Sequence, residues 1–186
     1  MSQQVSIFNK MKPSPIPVGY QVPLYVELFY LDNMDPMKTT AADLFRNKRV
    51  VVFSLVGANN RVCGEQHLQD IKAAYQDFMD EGIDKVYVLT TNDVWTQHVW
   101  DLENDFEAVG PNALFISDGN CEFTSEMGYL VKRGREGYGN RPWRNVIVVN
   151  NQIIEKVIVE PGMCDNCEED PYSATHPDRV LEYLRA

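Results

Sequence analysis

"RVVVFSLVGANNRVCGEQHL", residues 49–68, joins a run of strand-forming residues to the start of a helix through a short polar loop. Residues 49–55 are rich in β-branched side chains and too few for a stable helix, so they predict a buried strand. From Gly64 to Met79, apolar residues recur at helical spacing, which predicts a helix with one buried face. Cys63 stands where this helix begins.

Strands and helices alternate along the rest of the chain. Further strands are predicted over 24–30, 85–91 and 113–117, and further helices over 94–102, 122–128 and 176–186. Asn150 and Asn151 predict a β-hairpin turn within residues 144–160. This order predicts an α/β fold with a mixed central β-sheet flanked by helices, as a single domain over residues 1–186. Flexible segments are predicted over 1–20, 131–142 and 160–174.

Composition and charge exclude several classes of function. The 186 residues carry a formal net charge of −10, which disfavours a nucleic-acid partner or an anionic membrane surface. No segment approaches the length that spans a bilayer, and the first residues contain no apolar run of secretory length. Four cysteines in a chain with no export signal predict reduced thiols in the cytoplasm, with a redox or metal role.

The position of Cys63 has chemical consequences. A cysteine in the first turn of a helix meets free backbone N–H groups and the positive end of the helix dipole, and both favour the thiolate. The amides of Val62, Cys63 and Gly64 could also hold a small anionic or polar oxygen substrate. The alternative is an inert packing residue, since free cysteines are among the most buried residue types.

Four segments resemble motifs of the type II (peroxiredoxin-5-like, atypical) peroxiredoxins of the thioredoxin-fold superfamily, in the family's order and spacing. They are LFRNKRVVVFSLVGANNRVCGEQHL (44–68), GIDKVYVLTTNDVWTQHVW (82–100), ISDGNCEFTSEMGY (116–129) and GYGNRPWRNVIVVNNQIIEKVIVEPG (137–162). The resemblance implies a thioredoxin-like fold with an N-terminal extension.

The same resemblance implies a thiol-dependent peroxidase that reduces hydrogen peroxide or alkyl hydroperoxides and uses no cofactor or metal. Cys63 falls on the family's peroxidatic cysteine and Arg144 on its active-site arginine. A permanently charged guanidinium can hold the thiolate and polarise the leaving oxygen. Thioredoxin, glutaredoxin or glutathione is expected as the reductant, and the family commonly forms homodimers.

The chain departs from the family motif beside the cysteine. Val56 and Asn60 replace the proline that shields the sulfur and the threonine that orients the peroxide, and Arg61 replaces a second proline. Asn60 has both a donor and an acceptor, so it can partly replace the threonine. Losing one positioned hydrogen bond slows comparable reactions by about 10²–10³. The alternative function is therefore a catalytically degraded peroxiredoxin that acts as a redox-sensing or binding module.

Cys164 and Cys167 form a CxxC pair shortly before the last helix. Some members of the family carry a resolving cysteine in this region, so either residue can be expected to resolve a sulfenic acid on Cys63. A zinc site is the structural alternative, but it needs two further ligands, and Cys121 and His176 have no motif spacing.

His67 supports a rival prediction. It lies one helical turn after Cys63, and side chains at this spacing share a face of the helix, so a Cys–His hydrolase pair is conceivable. No oxyanion loop or third catalytic partner is visible in the sequence, and His67 coincides with a histidine of the resembled motif for which no base role is required.

Overall fold

The computed structural model describes residues 14–186. It contains a seven-stranded mixed sheet in the order β2-β1-β5-β4-β3-β8-β9 and a separate two-stranded sheet, β6-β7. The strands are β1 (Glu27–Asp32), β2 (Asp35–Thr40), β3 (Arg49–Ser54), β4 (Lys85–Thr90), β5 (Ala113–Ser117), β6 (Leu130–Arg133), β7 (Gly139–Pro142), β8 (Asn145–Asn150) and β9 (Ile153–Val159). The α-helices are α1 (Ala41–Phe45), α2 (Leu68–Asp80), α3 (Val94–Asn104), α4 (Glu122–Glu126) and α5 (Pro177–Leu184).

Strand β3 lies in the interior of the large sheet. It pairs in parallel with β4 and antiparallel with β8, and its residues from Val50 to Ser54 are buried. A strand covered on both faces needs apolar side chains at successive positions, which is what the run of valines supplies. The predicted strand and the predicted mixed α/β fold are therefore confirmed.

Alternate side chains of β3 enter two different core layers. Val51 and Phe53 pack in the layer that holds the buried faces of α2 and α5, together with Cys63. Val50 and Val52 pack in the layer under α1 and α4. The alternation follows from the two-residue period of a strand, and it fixes which side of the sheet faces the helix that begins near Cys63.

The β-hairpin predicted in the last third of the chain is confirmed as β8 and β9. Its turn residues Asn151 and Gln152 have φ values of 45° and 73°, as a tight hairpin turn requires. The register pairs Asn145, at the start of β8, with Ser54, at the end of β3. Arg144 therefore lies beside the exit of β3, where the loop to Cys63 begins.

One of the segments predicted to be flexible forms a small sheet. Residues 131–142 contain most of the β6-β7 hairpin, in which Val131 and Arg133 are buried and Lys132 is exposed. The prediction was wrong here because glycines and charged residues dominate the segment and its apolar alternation is too short to stand out.

The predicted flexible segment 1–20 is described only from residue 14 onward, and residues 1–13 lie outside the described chain. Within the described part, the amide of Gly19 donates to the carbonyl of Ile154 at 2.8 Å. Across residues 14–186, no helix combines the length and the apolar character needed to cross a membrane.

Candidate active site

The loop between β3 and the Cys63 helix is tied to the neighbouring strand. The amide of Leu55 donates to the carbonyl of Leu89, and the amide of Ala58 donates to Oδ1 of Asn92 at 2.8 Å. Gly57 packs closely against the same side chain, because a Cβ atom at this position would lie 3.1 Å from Oδ1 of Asn92. The loop is therefore held at the carboxyl ends of the central strands.

Asn60 caps the helix that carries Cys63. Its Oδ1 accepts a hydrogen bond from the amide of Cys63 at 3.2 Å, and its carbonyl accepts one from the amide of Gly64 at 2.9 Å. The amide of Cys63 is one of the free N–H groups at the start of a helix, whereas the bond from Gly64 is the first backbone bond of the helix itself. The expectation that these amides would cradle a substrate is therefore wrong for Cys63 and Gly64, since Asn60 already occupies them.

The first turns of this helix are wider than an α-helix. Residues Cys63–His67 form a π-helical segment, in which the amide of Leu68 donates to the carbonyl of Cys63, five residues back. Such segments occur mostly as single turns inside α-helices and frequently at functional sites. Cys63 thus stands near the start of the helix, as the sequence predicts, and its side chain is fully buried.

Arg144 meets Cys63 inside the protein. Its Nη1 donates to the sulfur of Cys63 at 3.4 Å, and the arginine is itself only 1% exposed. Although burial alone lowers the pKa of Arg144, the nearby Cys63 sulfur and Asp170 carboxylate raise it above its ordinary value. Two of the residues singled out in the sequence are therefore in contact across 81 positions of the chain.

Three further hydrogen bonds orient the guanidinium of Arg144. Nη1 also donates to Nδ1 of His67 at 3.2 Å, Nη2 donates to Oδ1 of Asp170 at 2.7 Å, and Nε donates to the carbonyl of Pro171 at 3.0 Å. The guanidinium is thereby oriented from several sides, which fixes the donor that faces the sulfur.

His67 is a neutral, buried ring. Its Nε2–H donates to the carbonyl of Thr175 at 3.1 Å, and Nδ1 accepts from Arg144, an assignment that follows from the hydrogen-bond network. Burial, and then the positive charge of Arg144, hold the pKa of His67 well below its ordinary value of 6.5. Neither ring nitrogen is available to take a proton from Cys63, so the arrangement does not form the hydrolase pair.

A second arginine near the site was missed in the sequence. Arg141 is half-buried, and its Nη1 donates to Oγ1 of Thr91 at 3.1 Å. Burial lowers the pKa of Arg141, while Cys121, Tyr138 and Cys63 raise it in part, so the sulfur of Cys63 lies within its electrostatic reach. The signal was present, since GYGNRPWR contains both Arg141 and Arg144.

The segment 161–176, which we call the C-terminal loop, carries the CxxC pair as a disulfide. The Cα atoms of Cys164 and Cys167 are 5.6 Å apart, and in this state neither sulfur is free to bind zinc. The turn docks on β6, because the amide of Lys132 donates to Asp165 at 2.8 Å and the amide of Asn166 donates to the carbonyl of Lys132 at 2.7 Å. The prediction of a flexible segment over 160–174 is therefore wrong for this turn.

No group of three His, Cys, Asp or Glu side chains that could hold a metal ion occurs in the described residues. Of the four cysteines, Cys63 is free and buried, and Cys121 is free and half-buried at the start of α4. Burial, and then the carboxylate of Asp118, raise the pKa of the Cys121 thiol. Within residues 14–186, an arginine donates a hydrogen bond to the sulfur of Cys63, and none donates to that of Cys121.

The chain is similar to proteins that are named peroxiredoxins. The Redoxin family matches residues 17–172. The chain is 42% identical to peroxiredoxin y4vD of Sinorhizobium fredii, over 78% of this chain and 76% of that protein. It is 38% identical to a peroxiredoxin of Rhizobium etli, over 79% and 80% of the two chains. A crystal structure of the Plasmodium falciparum antioxidant protein, a 1-Cys peroxiredoxin, aligns with a TM-score of 0.85 at 29% identity, over 91% of this chain and 99% of that one.

The buried His67 makes stability depend on pH. Because the pKa of His67 is lower in the folded state than in the unfolded state, the unfolded chain binds more protons below about pH 6.5, and stability falls as the pH falls. The loss reaches at most about 2 kcal/mol at about pH 5, since each pH unit is worth about 1.4 kcal/mol. Urea unfolding at about pH 7 and pH 5 measures it.

His67→Asn is the matched variant, because its Oδ1 can still accept from Arg144 while the residue does not titrate. We expect this variant to lose less stability on acidification than the parent. Equal losses in the two proteins would show that His67 binds a proton without cost, contrary to its hydrogen-bond pattern.

Proposed function

Because this chain belongs to the Redoxin family and is a thiol-dependent peroxidase of the peroxiredoxin class, we propose that Cys63 is its peroxidatic cysteine. The observation that carries the proposal is the 3.4 Å contact between Nη1 of Arg144 and the sulfur of Cys63 in a buried site. A guanidinium that cannot lose its proton stabilises the thiolate over the thiol.

The reaction follows from these two residues. The Cys63 thiolate attacks the nearer oxygen of the peroxide, so an S–O bond forms as the O–O bond breaks. The departing oxygen takes the electron pair of the broken bond and a proton, leaving as water or an alcohol, and Cys63 becomes a sulfenic acid. Arg144, together with the charge of Arg141, provides positive charge for the oxygen that becomes negative.

Asn60 is proposed to serve this reaction in two ways. Its Oδ1 fixes the amide of Cys63, which holds the cysteine at the helix start. The opposite end of the same carboxamide, Nδ2, is the donor that we assign to the peroxide in place of the family's threonine. Val56 is buried in the same core layer as Cys63 and excludes water where the family has proline.

We propose that Cys164 or Cys167 resolves the sulfenic acid. In the reduced pair, one thiol attacks the sulfur of sulfenic Cys63 and water leaves, giving a mixed disulfide. The second thiol of the pair then attacks its neighbour, which closes the Cys164–Cys167 disulfide and frees Cys63. The closed pair beside a free Cys63 is consistent with the product of that exchange. Two external thiols, from thioredoxin, glutaredoxin or glutathione, then reopen the disulfide. The first forms a mixed disulfide with one cysteine, and the second attacks that bond, so both cysteines return to thiols and the reductant leaves as a disulfide.

Several broader features belong to the same proposal. The chain is proposed to act as one redoxin domain over residues 1–186, in the cytoplasm, where thiol reductants are abundant. It is proposed to form a homodimer through the apolar side chains that α3 exposes, Trp95, Val99 and Leu102, which recur at helical spacing.

A redox-sensing or binding module is the second candidate function. The departures from the family motif at Val56 and Asn60 favour it, and so does the complete burial of the Cys63 side chain. In that case Cys63 would react with peroxide no faster than a free thiol.

The first test separates these functions. Cys63→Ser is expected to abolish peroxide consumption, and Arg144→Ala to slow it by about 10²-fold, the typical effect of removing one donor that stabilises developing charge. Stopped-flow tryptophan fluorescence measures the second-order rate with hydrogen peroxide. Cys121→Ser is the matched control and should keep the parent rate. A parent rate equal to that of free cysteine would favour the sensor.

Asn60 is tested by a pair of substitutions. Asn60→Ala removes the helix cap, so it should lower stability by about 1 kcal/mol and slow the peroxide reaction. Asn60→Thr keeps a capping oxygen and should stay within a few tenths of a kcal/mol of the parent while reacting at least as fast. Urea unfolding and stopped-flow rates give both values. An unchanged rate in Asn60→Ala would remove this residue from the site.

Resolution is tested by peptide mapping after one equivalent of peroxide is added to the fully reduced chain. We expect a transient disulfide from Cys63 to Cys164 or Cys167, followed by the Cys164–Cys167 disulfide. If Cys164 and Cys167 stay reduced and Cys63 appears only bound to glutathione or to a second Cys63, the enzyme uses a single cysteine instead.

A further inference from the structure

The C-terminal loop reaches the active site through one carboxylate. Oδ1 of Asp170 accepts from Nη2 of Arg144 at 2.7 Å and lies 3.8 Å from Nη2 of Arg133. The Asp170 side chain is 18% exposed, and its Oδ2 is buried without a hydrogen-bond partner in the described part of the chain. A buried oxygen without a partner costs free energy. The interactions of Oδ1 with Arg144 and Arg133 offset this cost and hold Asp170 in place.

Arg133 holds the backbone just before Asp170. The side chain of Arg133 is 3% exposed, and its Nη1 donates to the carbonyls of Cys167 at 3.3 Å and Glu169 at 3.1 Å. The loop immediately before Asp170 therefore rests on a buried cation that belongs to β6. Cys167 is also one end of the disulfide that closes the turn from Cys164 to Cys167. Arg133 therefore contacts this turn at its last residue.

We propose that Asp170 is a positioning residue of the peroxidase reaction. It aims Arg144 at Cys63 from the stretch that follows the Cys164–Cys167 turn, and Arg133 ties that stretch to the turn. The inference rests on the proposed function. It assigns two states to the loop. With the disulfide closed, Arg144 is aimed at Cys63 and attack on peroxide is faster. With the pair reduced, the loop is released, so Cys63 attacks peroxide more slowly but a thiol can reach its sulfenic acid. The reductant that opens the pair thereby also frees the loop.

Other anchors keep the loop attached when Asp170 is changed. The buried carboxylate of Glu160 accepts from the amides of Ser173 and Thr175, both at 2.8 Å. Tyr172 donates to Asp70 at 2.6 Å, and its ring lies 4.3 Å from that of His67. A substitution at Asp170 alters the aim of Arg144 without unfolding the segment.

Asp170→Ala and Asp170→Asn separate positioning from a merely structural role. Alanine removes the acceptor, so we expect the peroxide rate constant to fall about tenfold, as for loss of a charged hydrogen bond, and the midpoint of its pH profile to rise. Asparagine still accepts from Arg144 and lacks the competing charge, so it should keep at least about a third of the rate, with a midpoint at or below that of the parent. Stopped-flow rates across pH give both numbers.

Glu168→Ala is the matched control, because Glu168 lies two residues before Asp170 and is exposed, and its ion pair within residues 14–186 is with the exposed Arg135, at 3.8 Å. It should leave rate and midpoint unchanged. The inference is overturned if Asp170→Ala reacts like the parent, or if the alanine and asparagine variants are equally slow. If the Cys63→Ser variant retains peroxidase activity, the proposed function is overturned instead. The two failures are therefore distinguishable.

The disulfide's part is tested by a double-mutant cycle. The Cys164→Ser, Cys167→Ser protein is compared with the parent in which the Cys164–Cys167 disulfide is closed. A thiol reagent identifies this form of the parent, because only two of its four cysteines are then free. We expect the serine protein to form sulfenic Cys63 more slowly, and Asp170→Ala to add little further loss, because both changes release the same contact. If the fold losses in rate from the two serine substitutions and from Asp170→Ala multiply when the changes are combined, the link between the disulfide and Asp170 is overturned.

Discussion

A buried guanidinium must be surrounded by acceptors, and the acceptors of Arg144 come from distant parts of the chain. The sulfur of Cys63 and Nδ1 of His67 come from one helix, while Asp170 and Pro171 come from the C-terminal loop. Removing one partner of such a buried charge typically costs 3–5 kcal/mol, because the charge is left uncompensated. Arg144 therefore holds the helix start, β8 and the loop to one geometry.

The same constraint explains the state of His67. Because a permanent positive charge donates to Nδ1, the ring must be neutral and must place its proton on Nε2, where the carbonyl of Thr175 accepts it. The ring of Phe53 meets that of His67 edge-on at a centroid distance of 5.6 Å, and Tyr172 covers it at 4.3 Å. A histidine one turn after the cysteine thus accepts a hydrogen bond from Arg144, and the charged group in contact with the sulfur is this arginine and not a base.

The helix start is a second element of this geometry. The side-chain oxygen of Asn60 accepts from the free amide of Cys63, and its carbonyl accepts the first helical bond, from Gly64, so the backbone at Cys63 is held from both sides. The π-helical turn that follows widens the helix between Cys63 and His67, and both side chains meet the same Nη1 of Arg144. Pre-positioned charge of this kind needs no rearrangement at the moment of reaction.

The sequence by itself determined the alternation of strands and helices, the hairpin of β8 and β9, and the placement of Cys63 at a strand-to-helix junction. These features depend on local periodicity and turn residues, which a linear pattern records. Resemblance to known motifs supplied Arg144 as its partner. Only the tertiary structure decided that Asp170 and Arg133 lie behind that partner, that Asn60 caps the helix and that the CxxC turn docks on β6. These contacts join residues whose separation in the chain carries no period, and buried charges choose their partners by position in three dimensions.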